Sequence, residues 1–358
     1  MLQRRFQTLT ALVAFSFSQA SAAEKPADLQ IYAYDSFVAA GGLGPEILPI
    51  FEARCGCRVR ALSSGDAGQL LTRLQLDAER GSSGAQLVIG LDQRTWEQAK
   101  PFLEEWGKWS PEGYSQVLPE VKVGSGFLPF DHGYFALIAD QEALSADKLS
   151  APSSLQDLRK SEWKRNILLQ DPRTSTPGLA FLLYTKAVLG DGVWDFWRDL
   201  RTQWLTLTPG WDAAYSMFLR KEAPLVWSYT TSEAYHVEHG GNRMKNGQSR
   251  YEAVLFREGQ PVQIEGAALV KRGIQTETQR KLAREFLEFL LSSDVQSRIP
   301  LRNWMFPVRR NVKLPKSFQD LRKPAKLVKT SDSASDARVT LGEWARIVAG
   351  GAKSTRRE

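Results

Sequence analysis

Cysteine and histidine are scarce in this chain, with two Cys and three His in 358 residues. Structural zinc sites gather four thiolate or imidazole ligands at close spacing, and His132, His236 and His239 do not stand at such spacing from Cys55 and Cys57. The sequence therefore offers no metal site. The Cys-Gly-Cys pair keeps two readings, a small disulfide eased by Gly56 or two free thiols. Long apolar runs are missing too, since none reaches the ~20 residues that span a bilayer. No nucleic-acid motif, internal repeat or nucleophile-elbow string occurs. The formal charge of +7 is spread over Lys- and Arg-bearing helices and a tail with Lys353, Arg356 and Arg357, a pattern of solvated faces rather than of one binding patch.

What is present begins with an address. Arg4 and Arg5, the apolar stretch around Leu12-Val13-Ala14-Phe15 and the small residues Ala20-Ser21-Ala22-Ala23 have the layout of a secretory signal peptide, residues 1–23, cleaved after Ala22 or Ala23. The exported remainder is long enough for two lobes. Strand and helix patterns alternate: strands at 29–34, 58–62 and 87–90, with helices at 44–54 and 68–79 between them, form a βαβαβ opening of a doubly wound α/β fold. Strands at 133–139 and 263–271 bracket a middle block with its own alternation, which predicts a discontinuous first lobe (24–134 and 264–325) and a second lobe (135–263) joined by a two-strand hinge. The amphipathic helix 277–291 follows, and a peripheral helix 341–348 with a frayed tail closes residues 326–358.

Local chemistry gathers at element ends, where open α/β sheets bind ligands. Ser228-Tyr229-Thr230-Thr231-Ser232-Glu233-Ala234-Tyr235 leaves the strand 224–227 and enters a helix, so its two phenols either pack or face a ligand. Asp171 to Gly178 leads from a strand to a helix capped by Thr176 with Pro177 at its first position; Ser175 there is either part of an ordinary cap or an extra donor for an anion. Trp211 and Trp304 sit in polar loops, suited to be flat walls, and stacked aromatic faces attract a cation by roughly 0.5–2 kcal/mol each. Asp66 precedes a helix and reads either as its cap or as the local acid that a net basic protein needs to hold a cation.

Several strings together carry a family resemblance: Tyr34-Asp35-Ser36-Phe37, Gly90-Leu91-Asp92, Pro129 to Phe135, Gln170 to Gly178, Ser228 to Ser232 with Ala234-Tyr235, and Asn303-Trp304-Met305 with Pro307. Over residues 28–325 the chain closely resembles the periplasmic thiamine-binding proteins of bacterial ABC importers. The resemblance implies a two-lobed type II periplasmic binding fold and no enzymatic activity. It further implies a monomer that captures thiamine, thiamine monophosphate and thiamine diphosphate between its lobes and hands them to an inner-membrane permease with its ATPase. By motif position it implies ligand contacts from Tyr34, Asp66, Ser175, Trp211, Tyr229, Tyr235 and Trp304. In this assignment Trp211, Tyr235 and Trp304 flank the thiazolium cation, Asp66 accepts from the exocyclic amine, Tyr34 and Tyr229 add aromatic or hydroxyl contacts, and Ser175 meets a terminal phosphate. Two positions depart from the family pattern: Gly41 stands where a tryptophan is found, and Ala67 where a glycine follows the acid.

Two other functions compete. Paired tyrosines at a cleft suit ferric iron, although Tyr229 and Tyr235 are six positions apart and tryptophans have no role in such a site. A thiamine-cleaving enzyme on the same architecture would need a cysteine nucleophile with a base beside it, and Cys55 and Cys57 lie away from the predicted cleft.

Overall fold

The computed structural model describes residues 28–350 except 83, 245, 246 and 332. The signal peptide and the basic residues of the tail, Lys353, Arg356 and Arg357, lie outside the described residues. The first strand, β1 (Asp28–Ala33), runs parallel to both neighbours, β2 (Arg58–Ser63) and β3 (Leu87–Asp92), giving the order β2-β1-β3. Every residue of β3 is buried, as an apolar run covered on both faces by helices requires. The helices Leu43–Cys55 and Ala67–Glu79 make the two crossovers. The first of them stops at Gly56, which takes a left-handed φ of 61° that a residue with a side chain would resist.

A long strand, β4 (Leu128–Asp140), follows, and then β5 (Ile167–Gln170), β6 (Trp204–Thr208), β7 (Leu225–Tyr229), β8 (Tyr251–Val254) and β9 (Gln260–Leu269). The sheet order is β2-β1-β3-β9-β4-β7-β5-β6. Strand β4 changes partner along its length. Its first half pairs antiparallel with β9, from Leu128 opposite Ala267 to Tyr134 opposite Val262. Its second half pairs with β7, from Phe135 opposite Tyr229 to Ala139 opposite Leu225. Strands β4 and β9 therefore connect two separate cores, one built on Phe51, Leu70, Phe127 and Phe286, the other on Phe135, Phe181, Trp197 and Trp227.

Three elements differ from the sequence expectation. Strand β7 runs on through Ser228 and Tyr229 because both find ladder partners on β4, and the next helix is Ser232–Glu238, preceded by Thr231. Trp211 is the first residue of the helix Trp211–Leu219, with Gly210 before it, rather than a loop residue. The helix Thr176–Leu189 is preceded by Ser175, so Thr176 lies inside it.

The C-terminal helix is also longer than expected, Ala334–Gly350. It is held to the second core at both ends of one face: Lys186 Nζ lies 2.8 Å from Asp336 Oδ1, and Trp344 is only 1% exposed, set edge-on to Trp197 at 5.8 Å between centroids. Arg173 covers the outer face of Trp344. Removing so large a buried ring leaves a cavity that neighbours fill only in part. Trp344→Ala is expected to destabilise the protein by about 3–5 kcal/mol, seen as a lower urea midpoint with an unchanged slope; an unchanged midpoint would show that the helix is an ornament on the second core.

Candidate functional site

Between the two cores the ends of strands and the starts of helices enclose a cavity of about 310 Å³. The first core contributes Tyr34 just after β1, Asp66 and Ala67 at a helix start, and Glu265 from β9. The ring of Tyr34 lies against Gly90 on β3, where φ is 103° and a Cβ would come within 1.9 Å of a ring carbon. Glycine is thus required there for Tyr34 to reach the cavity. The phenol donates to Asn303 Oδ1 at 3.0 Å.

The aromatic wall comes mostly from outside those two cores: Trp211, Tyr215 and Tyr235 belong to a cluster with Phe218 and Tyr251, and Trp304 packs against Phe318 and Leu321. Trp211 stacks on Tyr215 with centroids 4.8 Å apart and planes 17° from parallel. Its indole N–H donates to Ser228 Oγ at 2.8 Å, and Ser228 Oγ lies 2.9 Å from Ser232 Oγ. The hydroxyls that looked ligand-facing in the sequence therefore fix the orientation of Trp211. Tyr229 stacks on Phe135 at 4.6 Å. Tyr235 meets Trp304 edge to face, centroids 5.0 Å apart at 81°. Trp304 follows the helix Ser293–Arg302 with a φ of 53°, a conformation that costs a bulky residue roughly 1–3 kcal/mol and recurs where a side chain must be presented to a ligand.

Asp66 stands where the two halves touch. The N–H of Ala67, next to it, donates to Thr176 Oγ1 at 3.2 Å across the gap, and a Cβ on Gly210 would lie 3.6 Å from Asp66 Oδ2. Three helix starts thus converge on one carboxylate, and their dipoles favour its charge by up to about 1 kcal/mol each. Burial outweighs them. The Asp66 carboxyl is pushed up to about 6 by desolvation, against the pull of the Ser175 hydroxyl and the Thr176 N–H, with Asp212 and Asp35 adding repulsion. Ser175 is 3% exposed, faces Asp66 from behind the cavity wall, and its hydroxyl lacks a standard hydrogen bond. The anion that this helix start faces within the protein is the Asp66 carboxylate itself.

Of the residues singled out from the sequence, Tyr34, Asp66, Trp211, Tyr229, Tyr235 and Trp304 all border the cavity, and Ser175 lies just behind it. Gly41 and Ala67 border it as well, and a Cβ on Gly41 would meet nothing within 4 Å. Tyr215, Thr231, Asp212 and Glu265 were not anticipated. Glu265 had left a signal, an acid alone in the otherwise uncharged stretch 259–270; Thr231 was hidden among neighbouring hydroxyls. Cys55 and Cys57 form a disulfide at the end of the helix Leu43–Cys55, apart from the cavity lining, which resolves the two readings of that pair. Among the described residues there is no free cysteine and no cluster of His, Cys, Asp or Glu suited to a metal ion.

Comparison with known proteins gives one answer. Residues 115–330 match the family described as bacterial extracellular solute-binding protein. The thiamine-binding periplasmic protein of Brucella abortus is 39% identical over 333 residues, 91% of this chain and 93% of that one, and its Escherichia coli counterpart is 37% identical, covering 89% and 93%. The solved structure of a periplasmic thiamin binding protein superposes with a TM-score of 0.79 at 36% identity, over 92% of this chain and 98% of that one. The architecture is the two-lobed type II fold of periplasmic binding proteins, and the relatives are transport binding proteins rather than enzymes. The chain belongs to the family of periplasmic thiamine-binding proteins, within the bacterial extracellular solute-binding proteins.

Proposed function

We propose that this protein captures thiamine and its mono- and diphosphate in the cavity between its lobes, in the periplasm, and as a monomer delivers them to an ABC permease. The observation that carries the reading is the combination of aromatic walls with acid. Asp66, Asp212 and Glu265 border the cavity of a chain whose formal charge is +7, and the one cationic side chain in the lining among the described residues, Arg302, is already paired with Glu46. Such a site suits a flat cation. Trp211, Tyr235 and Trp304 flank the thiazolium, and Asp66 accepts from the exocyclic amine of the pyrimidine. Tyr34 and Tyr229 close the inner end. The phosphate of an ester is assigned to the start of the helix Thr176–Leu189, beside the hydroxyl of Ser175.

Calorimetry of the mature protein, unfolded and refolded to strip carried-over ligand, tests this directly. One-to-one binding of thiamine with a submicromolar constant, on the order of −8 kcal/mol or better, is expected; folded protein that gives no heat with thiamine or either ester refutes it. Ser175→Ala should lower affinity for the diphosphate more than for thiamine, by about tenfold, the worth of one charge-assisted hydrogen bond. An equal loss for all three would instead assign Ser175 to the support of Asp66. A Cβ at position 41 meets nothing within 4 Å, and Gly41→Trp should tighten thiamine binding by about threefold to tenfold through a further aromatic wall; unchanged affinity would place position 41 outside the bound ligand's reach.

A further inference from the structure

Beneath the aromatic walls lies an arrangement that the family's ligand positions do not include. Asp131 on β4 and Glu265 on β9 are direct partners across the antiparallel ladder where the two crossing strands meet. Asp131 has no exposed surface, and Glu265 is partly buried where it borders the cavity, with its Oε2 out of reach of solvent. Neither forms an ion pair among the described residues, and Asp131 Oδ1 and Glu265 Oε2 lack hydrogen-bond partners. The other oxygens are held by neutral donors: Asn303 Nδ2 donates to Asp131 Oδ2, and Gln263 Nε2 lies 3.4 Å from Glu265 Oε1.

The surroundings add no positive charge to the pair. Tyr34 after β1 and Tyr229 on β7 face it as neutral phenols, and Asp66 from the helix start and Asp92 on β3 repel it. Arg94, whose charge reaches Tyr229, is committed to Asp92 at 2.7 Å and to Gln263 Oε1 at 3.0 Å. A second orphan marks the same cavity: Thr231 borders it, is 1% exposed, and its hydroxyl has no partner. Two adjacent buried carboxyls without a counter-ion cannot both ionise in the free protein, so the pair retains a proton. Burial first, then the charge of Glu265, holds Asp131 well above the usual carboxylate range, and burial with the charges of Asp66 and Asp92 raises Glu265 to about 7, against hydrogen bonds from Gln263 and Tyr34. A cation seated between Tyr34 and Tyr229 would supply the missing charge.

We infer that Glu265, backed by a neutral Asp131, forms the cation-reading floor of the cavity and gives up its proton to solvent when a positively charged ligand seats. This rests on the cationic ligand proposed above. The pair acts as a proton-linked specificity element: a neutral ligand of the same shape gains nothing from it, whereas a cation draws out the negative charge of Glu265. The sign follows from linkage. The free protein holds a proton that the complex lacks, so affinity for a cation rises with pH up to about 7, where Glu265 titrates, and then levels.

The test is the proton inventory of thiamine binding by wild-type protein, from calorimetry in buffers of different ionisation enthalpy between about pH 5.5 and 8.5. Release approaching one proton below neutrality and fading above it is expected. Glu265→Gln should abolish the part of the release centred near 7 and weaken thiamine binding at high pH by about tenfold or more. Asp66→Asn should leave that part in place, since Asp66 titrates lower, about 6. Heats of tight binding that do not depend on buffer, or release lost in Asp66→Asn and kept in Glu265→Gln, overturn the inference. Carboxyl NMR of the free protein decides it independently of thiamine and of any variant's folding: a Glu265 signal titrating near neutrality supports the proton-holding pair, and one ionised throughout the range refutes it, whereas failure of thiamine to bind refutes only the ligand assignment.

Discussion

The ladder between β4 and β9 is the constraint on which the rest of the molecule depends. Each strand begins in one core and ends against the other, so the register that sets Asp131 opposite Glu265 also sets the relation of the two lobes. A slip of one residue would turn Asp131 and Glu265 out of the interior and bring in their neighbours, so the buried faces of both strands fix the pairing. The partner change at Tyr134 and Phe135 then places Tyr229 of β7 beside the same ladder. The cavity is therefore lined at its base by crossing strands and at its sides by helix starts, the part of a doubly wound sheet where backbone N–H groups and short turns remain open.

Charge in this protein is distributed against its total. Lysines and arginines occupy solvated surfaces, and many pair there with nearby acids, such as Arg298 with Glu46 and Asp294 or Arg159 with Asp199. Exposed pairs of that kind contribute about 0–1 kcal/mol each, so they set solubility more than stability. The carboxyls with real energetic consequence are those without cations: Asp66, Asp131 and Glu265, all raised first by burial. An unpaired buried acid is a cost in the free protein, and it is tolerable because a proton can neutralise it. The same groups offer a cation what bulk water cannot, a carboxylate whose dehydration has already been met in folding.

Much of the fold was legible in the sequence. The βαβαβ opening, the two bracketing strands and the helix Glu277–Leu290 follow from apolar runs and helical spacing, because those patterns are local. Asp66, Trp211 and Trp304 could be singled out because helix starts and aromatic residues in polar stretches are visible in a linear string, whereas Tyr34 came only from the family resemblance. What could not be read was anything set by pairing at a distance. Strand β7 gains Ser228 and Tyr229 only because β4 offers them partners, and the two serines flanking Tyr229 serve Trp211 rather than a ligand. Asp131 stood only within a longer motif, and Glu265 was not singled out at all. Their meaning comes from being neighbours 134 positions apart.

Strain and space divide between the two lips of the cavity. On one, Trp304 holds a left-handed backbone that an ordinary packing residue would relax, and Tyr235 and His239 brace its ring at 5.0 and 5.5 Å. On the other, Gly41 leaves open volume where the family pattern has an indole. A ligand held on one face by rigid aromatics and left free on the other loses part of its stacking energy, yet it also meets fewer demands on its shape there. Selectivity then shifts from shape toward charge, and that gives the carboxyls at the base of this cavity a larger share in deciding what it holds than a fully walled site would.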